Sequence, residues 1–89
     1  MGVYLVDRVF LGTTLDQIIE AQRAVMEMSH RFAARGEHVR YLRSIYIPGE
    51  SRCLCLFEAP DAQRVEEVNE VASVPFTKIV EALEFTPEQ

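Results

Sequence analysis

Two cysteines separated by a single residue, Cys53 and Cys55, stand in a strand-like run, and that spacing puts both sulfurs on one face of an extended chain. Two thiols on one face suit a soft metal, but a metal shell needs more ligands, and no His-x₃-His or Cys-x₂-Cys spacing supplies them. Residues i and i+2 of a strand lie ~6.5 to 7 Å apart, beyond easy disulfide reach. Cysteine is also among the most buried residue types, so the pair reads as two free thiols acting as small hydrophobes in a sheet. His30 and His38 read as surface or boundary side chains, although His38 beside Glu37 offers an adventitious surface metal site. No Ser-His-Asp, P-loop, GxGxxG or paired-carboxylate signature is present.

Polar residues that interrupt apolar patterns are more informative. Spaced at 100° per residue, the helical stretch after Thr14 carries an apolar stripe of Leu15, Ile18, Ile19, Val25, Met26, Phe32 and Ala33 centred on Gln22 and Ser29. Ser29 can bond its own helix carbonyls. Gln22 is a long amide that, facing a core, must find up to four partners or line a wet pocket. Asn69 poses the same question in a second helix. Asp7 is a carboxylate in mid-strand, where burial demands a cation, a donor or a ligand; its neighbour Arg8 points to the other face, and Arg43, in mid-strand on the second strand, is a plausible partner. These interruptions predict one polar pocket between helices and sheet, holding Asp7, Gln22 and Asn69, with Ser73, Ser29 and Tyr46 as further ligand-binding candidates.

The elements that must position these residues are legible in the patterning. Residues 3–11, rich in Val, Leu, Tyr and Phe and stopped by Gly12, read as a strand. Thr14-Leu15-Asp16-Gln17 is a capping box opening a helix over residues 15–35, closed by Arg35-Gly36. Residues 39–47 and 52–58 flank a Pro48-Gly49 turn and form an antiparallel hairpin pairing Ile47 with Arg52, Tyr46 with Cys53 and Ser44 with Cys55. Asp61 caps a second helix that runs to about residue 72, Pro75 ends it, and residues 80–85 form a last strand. The order strand, helix, strand, strand, helix, strand is the α+β split βαβ, or ferredoxin-like, arrangement, with four antiparallel strands and both helices on one face.

The hairpin has no solvated face. Val39, Tyr41, Ile45, Ile47, Leu54 and Leu56 are assigned to one side, and Leu42, Tyr46, Cys53, Cys55 and Phe57 to the other. A sheet covered on one side only alternates cleanly between apolar and polar. The pattern therefore predicts sheet-to-sheet packing with a second copy: a homodimeric α/β barrel.

Size and charge narrow the function. At 89 residues, 48% of them hydrophobic, the chain is a single domain spanning residues 1–89. Its net charge of -5, without a Lys/Arg block, argues against nucleic acid as a partner, since that affinity comes from clustered positive charge. No apolar run approaches the ~20 residues that cross a bilayer, and the N-terminal residues lack a signal-peptide pattern, so a cytoplasmic protein without a membrane partner is expected.

The segment Leu54-Cys55-Leu56-Phe57-Glu58-Ala59-Pro60, followed by a helix, resembles the F-C-L-V-E-A-P motif of a family of small bacterial ferredoxin-like proteins of unknown function, some described as nickel-binding. The likeness extends from Tyr4 to Phe85 and includes Tyr41-Leu42-Arg43. It implies a dimeric ferredoxin-like barrel and, in a histidine-rich branch, nickel ligands in D-x-H, A-H-x-x-D and H-x-x-A-H stretches. Here those stretches read Leu5-Val6-Asp7, Ala21-Gln22-Arg23-Ala24-Val25 and Asn69-Glu70-Val71-Ala72-Ser73, so amides and a hydroxyl replace most ligands. The reading is a small homodimeric ligand-binding protein with no cofactor, its small molecule held by hydrogen bonds without catalysis. The alternatives are nickel or other transition-metal binding, and a cofactor-independent monooxygenase- or isomerase-like enzyme using the same pocket, with Asp7 and then Tyr46 as its titratable groups.

Overall fold

A computed structural model of the chain describes residues 1–88. Its elements are β1 (Gly2–Val9), α1 (Leu15–Ala34), β2 (Arg40–Ile47), β3 (Arg52–Ala59), α2 (Ala62–Val71) and β4 (Lys78–Ala82). The strands form one sheet in the order β2-β3-β1-β4, with antiparallel pairing at each step. This is the ferredoxin-like arrangement the patterning predicts.

Local chemistry fixes the ends of the elements. The Thr14 hydroxyl accepts from the Gln17 amide at 3.2 Å while the Gln17 side chain accepts from the Thr14 amide at 3.0 Å, completing the capping box that starts α1. Gly36, at φ 84°, takes the left-handed conformation that releases the chain from α1. Asp61 caps α2 by accepting from the Arg64 amide at 2.9 Å.

Both helices cover the same face of the sheet. Tyr4 and Val6 of β1 with Cys53, Cys55, Phe57 and Ala59 of β3 meet Val25 and Phe32 of α1 and Val65 and Val68 of α2 in one core. Phe57 is fully buried at its centre, a site where truncation to Ala costs ~3 to 5 kcal/mol.

Two expectations need correction. The last strand is Lys78–Ala82 rather than residues 80–85. It pairs with β1 from Asp7↔Lys78 to Val3↔Ala82, and β1 begins at Gly2, so the chain beyond Ala82 soon runs past its partner; Leu83 and Phe85 are exposed. In the hairpin the register is as expected from Ile47 to Ser44, but Tyr41 pairs with Phe57 and Arg43 with Leu56. Leu42 is thus an extra residue, a β-bulge that flips every side chain before it to the opposite face. Tyr41 and Val39 consequently belong to the helix side, where Tyr41 packs edge-on against Phe57 with ring centroids 5.5 Å apart.

The other face of the sheet carries no helix. It presents Val9, Ile45 and Val80, all exposed, beside half-buried Leu5, Leu54 and Leu56.

Candidate functional site

The candidate site is a seam of polar side chains running through the layer between helices and sheet. It begins at the surface, where Gln22 Nε2 of α1 donates to the Tyr41 hydroxyl at 2.7 Å. Tyr41 Oη lies 2.5 Å from Ser44 Oγ, which donates to Cys55 Sγ at 3.0 Å. Cys55 Sγ is 3.8 Å from Cys53 Sγ. Directly across the β1–β3 ladder from Cys53 stands Arg8. Its guanidinium donates to Asn69 Oδ1 at 2.7 Å and to the Pro75 carbonyl at 3.2 Å, and Asn69 Nδ2 donates back to the Val65 carbonyl at 2.7 Å. The two amides singled out in the sequence, Gln22 and Asn69, are therefore the two ends of one connected system.

The electrostatics centre on Arg8, which is only 2% exposed. A buried cation normally pairs with an anion, yet among the described residues no carboxylate forms an ion pair with Arg8. The thiol pair responds to this field. Cys55 is lowered from 9.0 to about 6, first by the hydrogen bond with Cys53 and, against the opposing effect of burial, by the Arg8 charge and the Ser44 hydroxyl. Cys53 is pushed up by sharing that hydrogen bond and by burial. The two sulfurs are thus driven in opposite directions, Cys55 towards the thiolate and Cys53 away from it.

At its inner end the seam meets a shallow depression of about 410 Å³ lined by Asn69, Glu70, Ser73, Val74, Pro75 and Phe76. Ser73, one of the lining residues, holds a left-handed φ of 60°, a conformation that costs a non-glycine residue ~1 to 2 kcal/mol.

The remaining candidates lie elsewhere. Asp7 does not join Gln22 and Asn69. It points to the uncovered face, where Arg52 donates to its two oxygens at 3.0 and 2.8 Å. That bond, opposed by burial and aided by the Arg52 and Lys78 charges, holds its carboxyl below the usual 3.8. The partner is Arg52 because the two side chains share a face on adjacent strands, whereas the expected Arg43 pairs with Glu84. Ser29 is buried but bonds its own helix, donating to the Val25 carbonyl at 2.9 Å. Tyr46 is half-buried opposite Cys53. Gln22, expected within the core stripe, is exposed, because α1 buries the line Ile18, Val25, Ser29 and Phe32 and leaves Leu15, Ile19 and Gln22 outside it.

Sequence reasoning missed Arg8 and Tyr41. Arg8 carried a usable signal, since its strand parity matches Tyr4 and Val6. Tyr41 carried none, because the bulge at Leu42 has no glycine or proline to mark it.

The comparisons with known proteins fit this architecture. The model of the nickel responsive protein SCO4226-like family matches residues 4–82. The chain belongs to that family. Among solved structures, the crystal structure of SCO4226 from Streptomyces coelicolor A3(2) superposes with a TM-score of 0.76 at 24% sequence identity, covering 94% of this chain and 99% of that one. At that identity the match speaks for the fold. No curated protein sequence matches the chain.

A resident nickel ion does not fit the side chains present. Where the resemblance places ligands, this family member offers the amides of Gln22 and Asn69 and the hydroxyl of Ser73, which are poor donors to divalent transition metals. The Asp7 carboxylate is occupied on both oxygens by Arg52. Among the described residues, no group of three or more His, Cys, Asp and Glu side chains comes together as a metal shell.

Proposed function

We propose that this member of the SCO4226-like family is a homodimeric binding protein for a small polar molecule, held by hydrogen bonds at the end of the polar seam. The observation that carries this reading is the seam itself: a line of donors and acceptors from Gln22 to Asn69 through a layer that hydrocarbon would otherwise fill. Each of its buried polar groups costs stability relative to packed apolar side chains unless fully satisfied. The depression beside Asn69 and Ser73 is within the size range of small-molecule sites, and its strained serine keeps a hydroxyl where glycine would be cheaper.

Two observations weigh against the other readings. The nickel response in the family's name would need ligands at positions where this chain has amides and a hydroxyl. The enzyme reading rests on Asp7 as its titratable group, and Asp7 faces away from the pocket, whose own carboxylate is Glu70. The uncovered sheet face supports the dimer. Val9, Ile45 and Val80 with Leu5, Leu54 and Leu56 put apolar side chains on this face beside the Asp7–Arg52 and Arg43–Glu84 ion pairs, and a second copy supplies its match by two-fold symmetry.

Native mass spectrometry of the protein as purified tests the ligand, and sedimentation tests the dimer. A dimer carrying a non-covalent adduct is expected. A bare monomer contradicts both parts.

A further inference from the structure

The depression beside Asn69 lies at the C-terminal end of α2, where the negative features of the chain go unanswered. The chain leaves the helix through two hydrogen bonds, from the Val74 amide to the Asn69 carbonyl at 3.1 Å and from the Ser73 amide to the Glu70 carbonyl at 3.0 Å. A helix end of this kind carries a partial negative charge, which a Lys, Arg or His in the last turn favourably offsets. The last turn of α2 has no basic residue. It has Glu70 instead, an exposed carboxylate that lines the depression and, among the described residues, forms no ion pair. Carboxylate and helix end therefore reinforce one another. The buried Arg8 guanidinium does not line the depression; it is committed to Asn69 Oδ1 and the Pro75 carbonyl, and inside the core its charge draws Cys55 towards the thiolate. Val74, Pro75 and Phe76 make the rest of the lining apolar.

We infer that the depression takes a small organic monocation, an ammonium group on a short hydrocarbon body, with its charge against Glu70 and the C-terminal end of α2 and its body against Val74, Pro75 and Phe76. The assignment rests on the reading of this depression as a small-molecule site and adds the sign of the ligand's charge. An ammonium gives Glu70 the partner it lacks and meets the helix end with opposite charge, whereas an anion would meet both with like charge. Phe76 adds to the preference, because aromatic side chains attract cations more than other hydrocarbon does.

The test is a titration of the whole protein, followed by amide NMR shifts, with three probes that share one hydrocarbon body and differ in charge: phenethylammonium, phenethyl alcohol and phenylacetate. The ammonium is expected to shift the amides of Glu70, Ser73, Val74 and Phe76. It should bind about fivefold more tightly than the alcohol, the scale of one solvent-exposed ion pair, with phenylacetate weaker than both. Glu70→Gln, a change at an exposed position, should remove the ammonium's advantage and leave the alcohol's affinity as it was. Binding of the alcohol or of phenylacetate as tight as that of the ammonium overturns the charge assignment while the depression stands as a site. An ammonium advantage that survives Glu70→Gln in full overturns it as well. If none of the three probes moves these amides, the inference falls together with the small-molecule reading.

Discussion

Arg8 and Asn69, 61 residues apart in the chain, are joined by a 2.7 Å hydrogen bond that ties β1 to α2 inside the core. It disposes of a buried positive charge by giving it a neutral acceptor. Asn69→Leu removes that acceptor and should destabilise the protein by ~1 to 3 kcal/mol, the cost of stranding a buried donor. For a domain of this size that lowers the melting temperature by roughly 4 to 8 °C per kcal/mol. Replacing both partners, Arg8→Met with Asn69→Leu, should recover most of the loss. Thermal melts of the two single variants and the double variant check this, and additive losses would show that the bond is not the coupling.

The ion pair between Asp7 and Arg52 should govern acid stability. Asp7 has a folded-state pKa below its usual 3.8, mainly through the Arg52 hydrogen bond. Its contribution is therefore fully present above 3.8 and is lost as pH falls through the depressed folded value. Melting temperatures between pH 2 and 6 should drop towards acid, and Asp7→Asn should flatten that drop. An unchanged slope in the variant would show that other carboxylates set it.

The thiol pair should titrate unevenly. Thiolate absorbance should rise by one thiolate per chain around pH 6, the second sulfur staying protonated across the accessible range. Cys55→Ser should remove the step at pH 6. Two equal steps near 9 would mean that the sulfurs neither share a proton nor feel Arg8.

How far the sequence reveals this molecule depends on which interactions are local. The capping box of α1, the Asp61 cap of α2, the Pro48-Gly49 turn and the period of each element specify the fold nearly completely, because they act over a few residues. The site was legible only in part. Asn69 broke the apolar stripe of α2 and is buried there, but Gln22, expected in mid-stripe on α1, is exposed, and Asp7 was assigned to the wrong side of the sheet. Mid-strand polarity alone does not say which face the helices cover. Tyr41 depended on a single inserted residue at Leu42 that reversed the alternation, and Arg8 was set aside as pointing away from Asp7, although its strand mates Tyr4 and Val6 lie under the helices.

The uncovered sheet face gives a direct prediction for assembly. Ile45 is 54% exposed and Val80 42% exposed on a face rich in leucine and valine. Wild-type protein should sediment at twice the 10.2 kDa chain mass at micromolar concentration. Ile45→Lys, which places a charge in the contact, should shift it to the monomer with the fold intact by circular dichroism. A wild-type monomer would contradict the dimer.

The most direct test of the seam as a ligand site is native mass spectrometry of the wild-type protein beside Ser73→Gly. Ser73 is exposed, lines the depression and holds a φ of 60° that glycine adopts without strain, so its replacement should leave the melting temperature unchanged or raise it. The account predicts a small-molecule adduct on the wild-type protein that denaturing conditions remove and that Ser73→Gly carries in reduced amount. Identical masses for both proteins, native and denatured, matching the polypeptide alone, would contradict it.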